Sequence, residues 1–314
     1  MIDMEIFSDF LRIENEKVVC EKIEKFIKEK VEELKRNGVI LGLSGGVDSA
    51  LVAYLCVRAL GADKVFALYM PEKDSKKSHF QDAKKIADLL KIDLRIFDLT
   101  SLLERMGIYR LYPMSLLKVV PSRKIKGFIT EKSKELFGKL NNCDPIIESR
   151  SGTDKKFILG GSAYVNIKHR LRMAVLHFYA DLKNLATVGA ANQTEFLTGV
   201  FVKFGIDGVA DFMPILPLFK VQVRQLAYYI GIPREIVKKT ADPDIVPGFN
   251  NKGKMFKNEA LLDLILIFWK KGFSVKETTK SLMNQGITEE FVERIYKLVE
   301  ISRNMREVPY IPDI

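Results

Sequence analysis

The residues with the clearest chemical potential lie where an apolar run gives way to serine and glycine. Residues 39–43 are apolar, residues 44–46 read Ser-Gly-Gly, and residues 50–60 have the composition of a helix. A helix N-terminus attracts anions because its first turn offers unpaired N–H groups at the positive end of the helix dipole. Glycine lets the backbone approach an oxyanion closely and take a positive φ. The stretch therefore predicts a phosphate-binding loop.

The side chains of this loop refine the prediction. Ser44 and Ser49 add hydroxyl donors, whereas Asp48 would repel a phosphate unless a cation such as Mg²⁺ lay between them. A Walker A loop needs a lysine just before its Ser/Thr, and position 48 is aspartate. An ordinary corner between a strand and a helix is the alternative interpretation of the same residues.

Apolar runs and helical patterns alternate along the chain on both sides of this loop. This alternation predicts an α/β fold: a doubly wound, mostly parallel sheet flanked by helices, followed by a C-terminal helical region. The predicted strands are 39–43, 65–70, 94–97 and 184–189. The predicted helices are 17–36, 50–60, 78–90, 163–179, 220–230, 259–271, 275–283 and 289–304.

Ligands bind such sheets at the carboxyl ends of the strands. The Ser-Gly loop, Met70 and the polar residues 190–195 all follow predicted strands directly. Residues 107–160 contain prolines, glycines and a basic stretch, and we interpret them as an insertion or mobile segment, or a disordered connector, within a single domain of residues 1–314.

The net charge of +10 favours anionic partners, which are nucleotides or, less readily, nucleic acid, although dispersed surface lysines would give the same total. The three cysteines form neither a metal-binding spacing nor a disulfide framework. No apolar run reaches the ~18 residues of a membrane span, and the acidic start lacks a signal-peptide pattern. We expect a cytoplasmic protein that does not bind membranes.

Five motifs in order identify a resemblance. They are SGGVDS (44–49), NIKHRLRM (166–173), GAANQTE (189–195), FKVQVRQLAYYIGIP (219–233) and VKKTADPDIVPG (237–248). Together they resemble the ammonia-dependent NAD⁺ synthetases of the ATP pyrophosphatase superfamily. The resemblance implies that ATP and Mg²⁺ activate the carboxylate of deamido-NAD⁺ as an acyl-adenylate with loss of pyrophosphate. Ammonia then displaces AMP to give NAD⁺. It also implies a homodimer.

The same resemblance assigns roles to single residues. Asp48, Glu195 and Lys220 would be catalytic, with Asp48 and Glu195 on Mg²⁺. Arg170, Lys203 and Asp211 would lie near deamido-NAD⁺. The residues expected to bind ATP are Gly42, Leu43, Ser44, Gly45, Gly46, Val47, Asp48, Ser49, Met70, Lys220 and Thr240.

Several positions depart from the family pattern, and they leave two alternatives open. Ala190 stands where the family usually has threonine, Asn304-Met305 replaces a His-Lys pair, and residues 250–252 replace an acidic segment. One alternative is an adenylating enzyme with another acceptor, such as tRNA. The other is a catalytically silent nucleotide-binding homologue.

Overall fold

The sheet is the frame on which every other element is placed. The structure is a computed structural model and describes residues 10–111, 145–239 and 258–307. Its strands β1 to β4 are Val39–Gly42, Val65–Tyr69, Asp93–Ile96 and Ala186–Val188, all parallel, in the order β3-β2-β1-β4. Strand β1 is therefore internal, and the loop after it lies between the carboxyl ends of β2 and β4.

Helices connect these strands and cover both faces of the sheet. Before residue 112, the helices are α1 Glu16–Glu33, α2 Val47–Leu60, α3 Lys77–Leu90, α4 Thr100–Arg105 and α5 Ile108–Leu111. The next group is α6 Pro145–Ser151, α7 Lys156–Lys183, α8 Gln193–Thr198, α9 Ile206–Val209, α10 Lys220–Tyr229 and α11 Arg234–Val237. The last group is α12 Glu259–Lys270, α13 Val275–Ser281, α14 Glu289–Ile301 and α15 Arg303–Arg306.

Alternating side chains of the strands enter two different cores. Val39 and Leu41 of β1 pack with helices α1, α2, α3 and α10, whereas Ile40 packs on the other face with Tyr164 and Leu176 of α7. A strand buried on both faces has no polar side, which explains the continuous apolar runs in the sequence. The predicted doubly wound α/β fold is confirmed.

The C-terminal helices form a third core. Helices α12 and α14 contribute buried residues such as Leu266 and Ile295, and the partly buried Val275 of α13 packs against them. Leu197 of α8 and Phe219, at the start of α10, belong to the same cluster. The C-terminal helices therefore support the two elements that follow β4.

The segment predicted as an insertion is partly helical where the structure describes it. Helices α5 and α6 lie within 107–160, and α7 begins at Lys156, so that Gly160 and Gly161 are inside a helix rather than in a loop. Packing of Ile158 and Tyr164, 5% and 1% exposed, outweighs the low helix propensity of the glycines. Residues 112–144 lie outside the described part, and the single-domain organisation stays a prediction. No described helix is long and apolar enough to cross a membrane.

Candidate active site

The loop after β1 has the geometry expected of an anion site. Strand β1 ends at Gly42, and Gly46 has extended backbone angles and precedes the first helical residue of α2, Val47. Gly45 has a φ of +78°, and a Cβ there would lie 2.4 Å from the carbonyl oxygen of His79. Only glycine fits this position, because a side chain would be strained by the backbone angle and would collide with α3.

The two loop serines are close neighbours. The hydroxyls of Ser44 and Ser49 lie 3.0 Å apart, and the Ser49 hydroxyl also donates to the Gly46 carbonyl at 3.2 Å. The Gly46 N–H donates to the Ser44 hydroxyl at 3.3 Å. The predicted hydroxyl donors thus lie on the same side of the loop as a helix N-terminal N–H. Leu43 differs, because its side chain is only 1% exposed and belongs to the core.

The structure brings together the three predicted catalytic residues. The Lys220 ammonium contacts a carboxylate oxygen of Asp48 and lies 3.7 Å from a carboxylate oxygen of Glu195. The Lys220 side chain is 6% exposed, whereas Asp48 and Glu195 are 18% and 30% exposed. The ammonium therefore lies behind two carboxylates that still face solvent.

Asn192 connects these carboxylates, and sequence reasoning did not single it out. Its amide nitrogen donates to Asp48 at 2.9 Å, and its amide oxygen accepts from the Glu195 N–H at 3.0 Å as the N-cap of α8. Asparagine is a favoured N-cap residue. One buried side chain thus fixes the Asp48 carboxylate and the start of the helix that carries Glu195.

The pKa values of both Glu195 and Lys220 are raised in this cluster. Burial raises the pKa of Glu195 to about 8, Lys220 opposes this rise, and the charges of Asp48 and Asp207 add to it. Burial alone would lower the pKa of Lys220, but Asp48 and Glu195 outweigh it, so that this pKa lies above its ordinary value. Lys220 therefore stays protonated beside the two carboxyl groups.

Asp207 is a third carboxylate near this cluster. It accepts hydrogen bonds from the N–H groups of Ala190 and Ala191, at 2.7 and 3.0 Å, just after β4. Burial raises its pKa, and the two N–H donors act against that rise. Asp207 lies in the short helix α9, and none of the sequence motifs includes it.

A buried polar pair fixes the backbone from which Lys220 extends. The Asp263 carboxylate accepts hydrogen bonds from the Val221 N–H at 2.9 Å and from the Thr194 hydroxyl at 2.6 Å. The Thr194 hydroxyl in turn accepts a hydrogen bond from the Lys220 N–H at 2.9 Å. Helices α8 and α12 thus cap the N-terminus of α10. Asp263 is fully buried, and burial raises its pKa to about 7. In the sequence, an aspartate within an otherwise apolar helix was the only indication of this buried polar contact.

Met70 lies where it was predicted, at the end of β2. It is 6% exposed, and its carbonyl accepts from Arg172 of α7 at 3.0 Å. Beyond it, Lys168 is fully buried, donates to Glu72 at 2.9 Å and lies 3.4 Å from Asp74. This buried network ties the end of β2 to helix α7, and the sequence gave no pattern for it.

Of the three residues predicted near deamido-NAD⁺, Arg170 contacts Lys203, whereas Asp211 contacts Thr187. Arg170 is exposed, and its guanidinium lies 3.4 Å from the Lys203 carbonyl, while the Lys203 ammonium donates to the Asn304 carbonyl at 2.5 Å. Asp211 accepts from the N–H and hydroxyl of Thr187 at 2.6 and 2.8 Å, so it fixes the chain beside β4. Thr240 lies outside the described residues.

The donors present fit a magnesium ion that is shared with a substrate. Within residues 10–111, 145–239 and 258–307, no group of three or more His, Cys, Asp or Glu could hold a metal ion. Asp48 and Glu195 supply carboxylate oxygens, the type of ligand that Mg²⁺ prefers, and their side chains are 18% and 30% exposed. Mg²⁺ is often held by one or two carboxylates with phosphates and water completing its shell.

The comparison with protein families decides the assignment. The sequence matches the family described as NAD synthase over residues 19–111 and 139–309. The chain belongs to the NAD synthase family. It is accordingly an enzyme of the ligase class that forms a carbon–nitrogen bond, and ATP is a substrate of this family.

Curated relatives of the family match nearly the whole chain. An NH₃-dependent NAD⁺ synthetase of Thermotoga maritima is 38% identical over 91% of this chain and 96% of its own length. One of Methanocaldococcus jannaschii is 33% identical over 94% of this chain and 96% of its own. The predicted family is thereby confirmed.

Solved structures share the fold. The chain superposes on an NMN synthetase from Francisella tularensis with a TM-score of 0.67 and 23% identity, covering 96% of this chain and 99% of that one. An NH₃-dependent NAD synthetase from Campylobacter jejuni gives 0.65 and 24%, covering 96% and 100%. At these identities the likeness establishes the fold alone.

Proposed function

We propose that this NAD synthase family member converts deamido-NAD⁺ to NAD⁺ with ammonia, at the expense of ATP, through an acyl-adenylate. The curated relatives carry the name NH₃-dependent NAD⁺ synthetase, which supports ammonia as the nitrogen donor. The observation that carries the proposal is the Lys220 ammonium beside Asp48 and Glu195, next to the loop of residues 44–49. A phosphate loop with an adjacent cation and two carboxylates suits the activation of a carboxylate by ATP.

The first step joins the carboxylate of deamido-NAD⁺ to the α-phosphorus of ATP. A carboxylate oxygen forms the new P–O bond, and the bond to the β-phosphate oxygen breaks and releases pyrophosphate. The Gly46 N–H, the Ser44 hydroxyl and the Lys220 ammonium can hold the phosphates and neutralise the charge on the leaving pyrophosphate. A Mg²⁺ ion held by Asp48 and Glu195 would supply further charge neutralisation.

The second step forms the amide. Ammonia adds to the acyl carbon of the adenylate, AMP leaves with its bonding electrons, and a proton is lost to give the carboxamide. The protein's main task here is to hold two nucleotides in place and to exclude water, which would hydrolyse the adenylate. Arg170, whose guanidinium lies 3.4 Å from the Lys203 backbone carbonyl, and Lys203 are both cationic, which suits the negatively charged acceptor.

Isotope incorporation tests this function. We expect ATP, Mg²⁺, deamido-NAD⁺ and ¹⁵N-ammonium to yield NAD⁺ carrying one ¹⁵N, detected by mass spectrometry, and we expect none without ATP. Parallel reactions with bulk tRNA in place of deamido-NAD⁺ should consume no ATP. ATP consumption with tRNA and no labelled NAD⁺ would transfer the activity to another acceptor.

We also propose that two copies associate through helix α7. One side of this helix packs on the sheet, but Phe178 and Leu182 on its other side are 58% and 68% exposed. With Leu171 and Val175, which are partly buried, they form a stripe at helical spacing. A second copy of this chain would cover that stripe. We expect a dimer in light scattering and a monomer for Phe178→Glu/Leu182→Glu; an unchanged dimer in this variant would refute the α7 contact.

A further inference from the structure

Lys239 contacts the phosphate loop from the outside. Its ammonium lies 3.3 Å from the Gly45 carbonyl oxygen and 2.6 Å from the Asp82 carboxylate. The Lys239 and Asp82 side chains are 24% and 25% exposed, so the ion pair is largely shielded from water. The Lys239 backbone is itself fixed, since its N–H donates to the Ile236 carbonyl at 3.2 Å.

Lys239 contacts the loop at Gly45, whose backbone conformation and surroundings leave no space for a side chain. Gly45 has a positive φ, and the closest atoms to its missing Cβ belong to His79, Asp82 and Ala83 of α3. Lys239 therefore enters a junction where the loop already presses against α3.

The peptide bond between Gly45 and Gly46 links the orientation of the carbonyl that Lys239 contacts to the orientation of the next N–H. In a trans peptide the carbonyl and the following N–H point to opposite sides, and the described residues contain no cis peptide. The Gly45 carbonyl points outward to Lys239, so the Gly46 N–H points inward, where it meets the Ser44 hydroxyl at 3.3 Å. Holding the carbonyl orients the N–H at the anion-binding end of α2.

We propose that Lys239 is a positioning residue of the phosphate loop. Its ammonium, kept in place by Asp82, holds the Gly45–Gly46 peptide in the orientation that directs the Gly46 N–H at the β- and γ-phosphates of ATP. This inference rests on the proposed function of residues 44–49 as the ATP phosphate site, and it names a side chain outside the set of residues expected to bind ATP directly.

Binding measurements on matched variants test the inference. We expect Lys239→Met to weaken MgATP binding about tenfold by calorimetry, which corresponds to ~1.4 kcal/mol. AMP lacks the β- and γ-phosphates, so its affinity should stay within twofold. Lys239→Arg should restore ATP affinity to within threefold, and Asp82→Asn should weaken it in the same direction. The matched control is Lys238→Met, since Lys238 is its exposed neighbour.

Steady-state kinetics add a readout that a purely structural role would not give. We expect Lys239→Met to raise the KM for ATP about tenfold while the KM for deamido-NAD⁺ stays within twofold. An unchanged ATP affinity in a folded Lys239→Met protein would overturn the inference, as would an equal loss of ATP and AMP affinity.

The failure of the proposed function has a separate signature. A wild-type chain that binds MgATP but makes no NAD⁺ would contradict deamido-NAD⁺ as the acceptor. The comparison of ATP and AMP affinities would still test the positioning role of Lys239. A wild-type chain that binds no ATP would overturn both.

Discussion

Lys220 and Asp48 form a shielded ion pair although 172 positions separate them in the chain. Asp48 lies in the first turn of α2 after β1, and Lys220 is the first residue of α10 after β4. Strands β1 and β4 are parallel neighbours, so their carboxyl ends bring these two helix starts together. The sheet order is thus the direct cause of this ion pair.

Removal of the Lys220 charge should abolish most activity. We expect Lys220→Met to lower kcat/KM for ATP about 10²–10³-fold, because the phosphates lose a cation in a shielded site. The exposed Lys276 provides a matched control, and Lys276→Met should retain wild-type kinetics. Near-normal turnover in Lys220→Met would remove this residue from the mechanism.

The proposed role of Glu195 as a Mg²⁺ ligand can be tested by measuring how the Mg²⁺ concentration needed for activity depends on pH. Protons compete with Mg²⁺ for this carboxylate, and its pKa is raised to about 8 by burial, with Lys220 acting against the rise. We expect the half-saturating Mg²⁺ concentration of the wild type to fall as the pH rises from 7 to 9. Glu195→Gln should need about tenfold more Mg²⁺ and lack that extra pH dependence. An identical pH dependence in both proteins would argue against Glu195 as a ligand.

Asp263 should make a distinctive contribution to pH-dependent stability. Burial raises its pKa to about 7 in the folded state, so the folded protein binds this proton more tightly than the unfolded chain. Stability from this group is fully present below pH ~4 and is lost as the pH rises to ~7. The variant Asp263→Asn should therefore gain about 1–3 kcal/mol relative to the wild type between pH 5 and pH 8.

Urea unfolding at the two pH values measures this difference, because the other titrating groups are common to both proteins and cancel. The exposed Asp154 supplies the control, and Asp154→Asn should show no such gain. A pH-independent difference between Asp263→Asn and the wild type would contradict the assignment.

The buried Lys168 should stabilise the fold by neutralising the buried carboxylate of Glu72. Both Lys168 and Glu72 have side chains with 0% exposure, so Lys168→Met leaves a buried carboxylate without its cation and should cost about 3–5 kcal/mol. The double variant Lys168→Met/Glu72→Gln should recover part of that loss.

Chemical denaturation compares these proteins with a surface pair, Lys84 and Asp88, whose side chains are 57% and 63% exposed. We expect Lys84→Met to cost under about 0.5 kcal/mol. A double variant as unstable as Lys168→Met alone would show that the charge imbalance is not the cause.

The sequence predicted the strand ends well because buried parallel strands have an unambiguous apolar pattern. Asp48, Glu195 and Lys220 were identified by motif, and the structure places them in one cluster. Asn192, Asp263 and Lys239 were missed because each acts on a residue distant in sequence. Asp263, for example, caps a helix that begins 43 positions earlier, at Lys220, and no local pattern encodes such a partner.

The central claim is that ATP cleavage at this site is coupled to amidation of deamido-NAD⁺. Pyrophosphate release from MgATP, measured in ammonium buffer with and without deamido-NAD⁺ and beside Asp48→Asn, tests this most directly. We predict release that requires deamido-NAD⁺, matches NAD⁺ formation one for one and is lost in Asp48→Asn. A folded wild-type protein that binds ATP but releases no pyrophosphate with deamido-NAD⁺ would contradict the account.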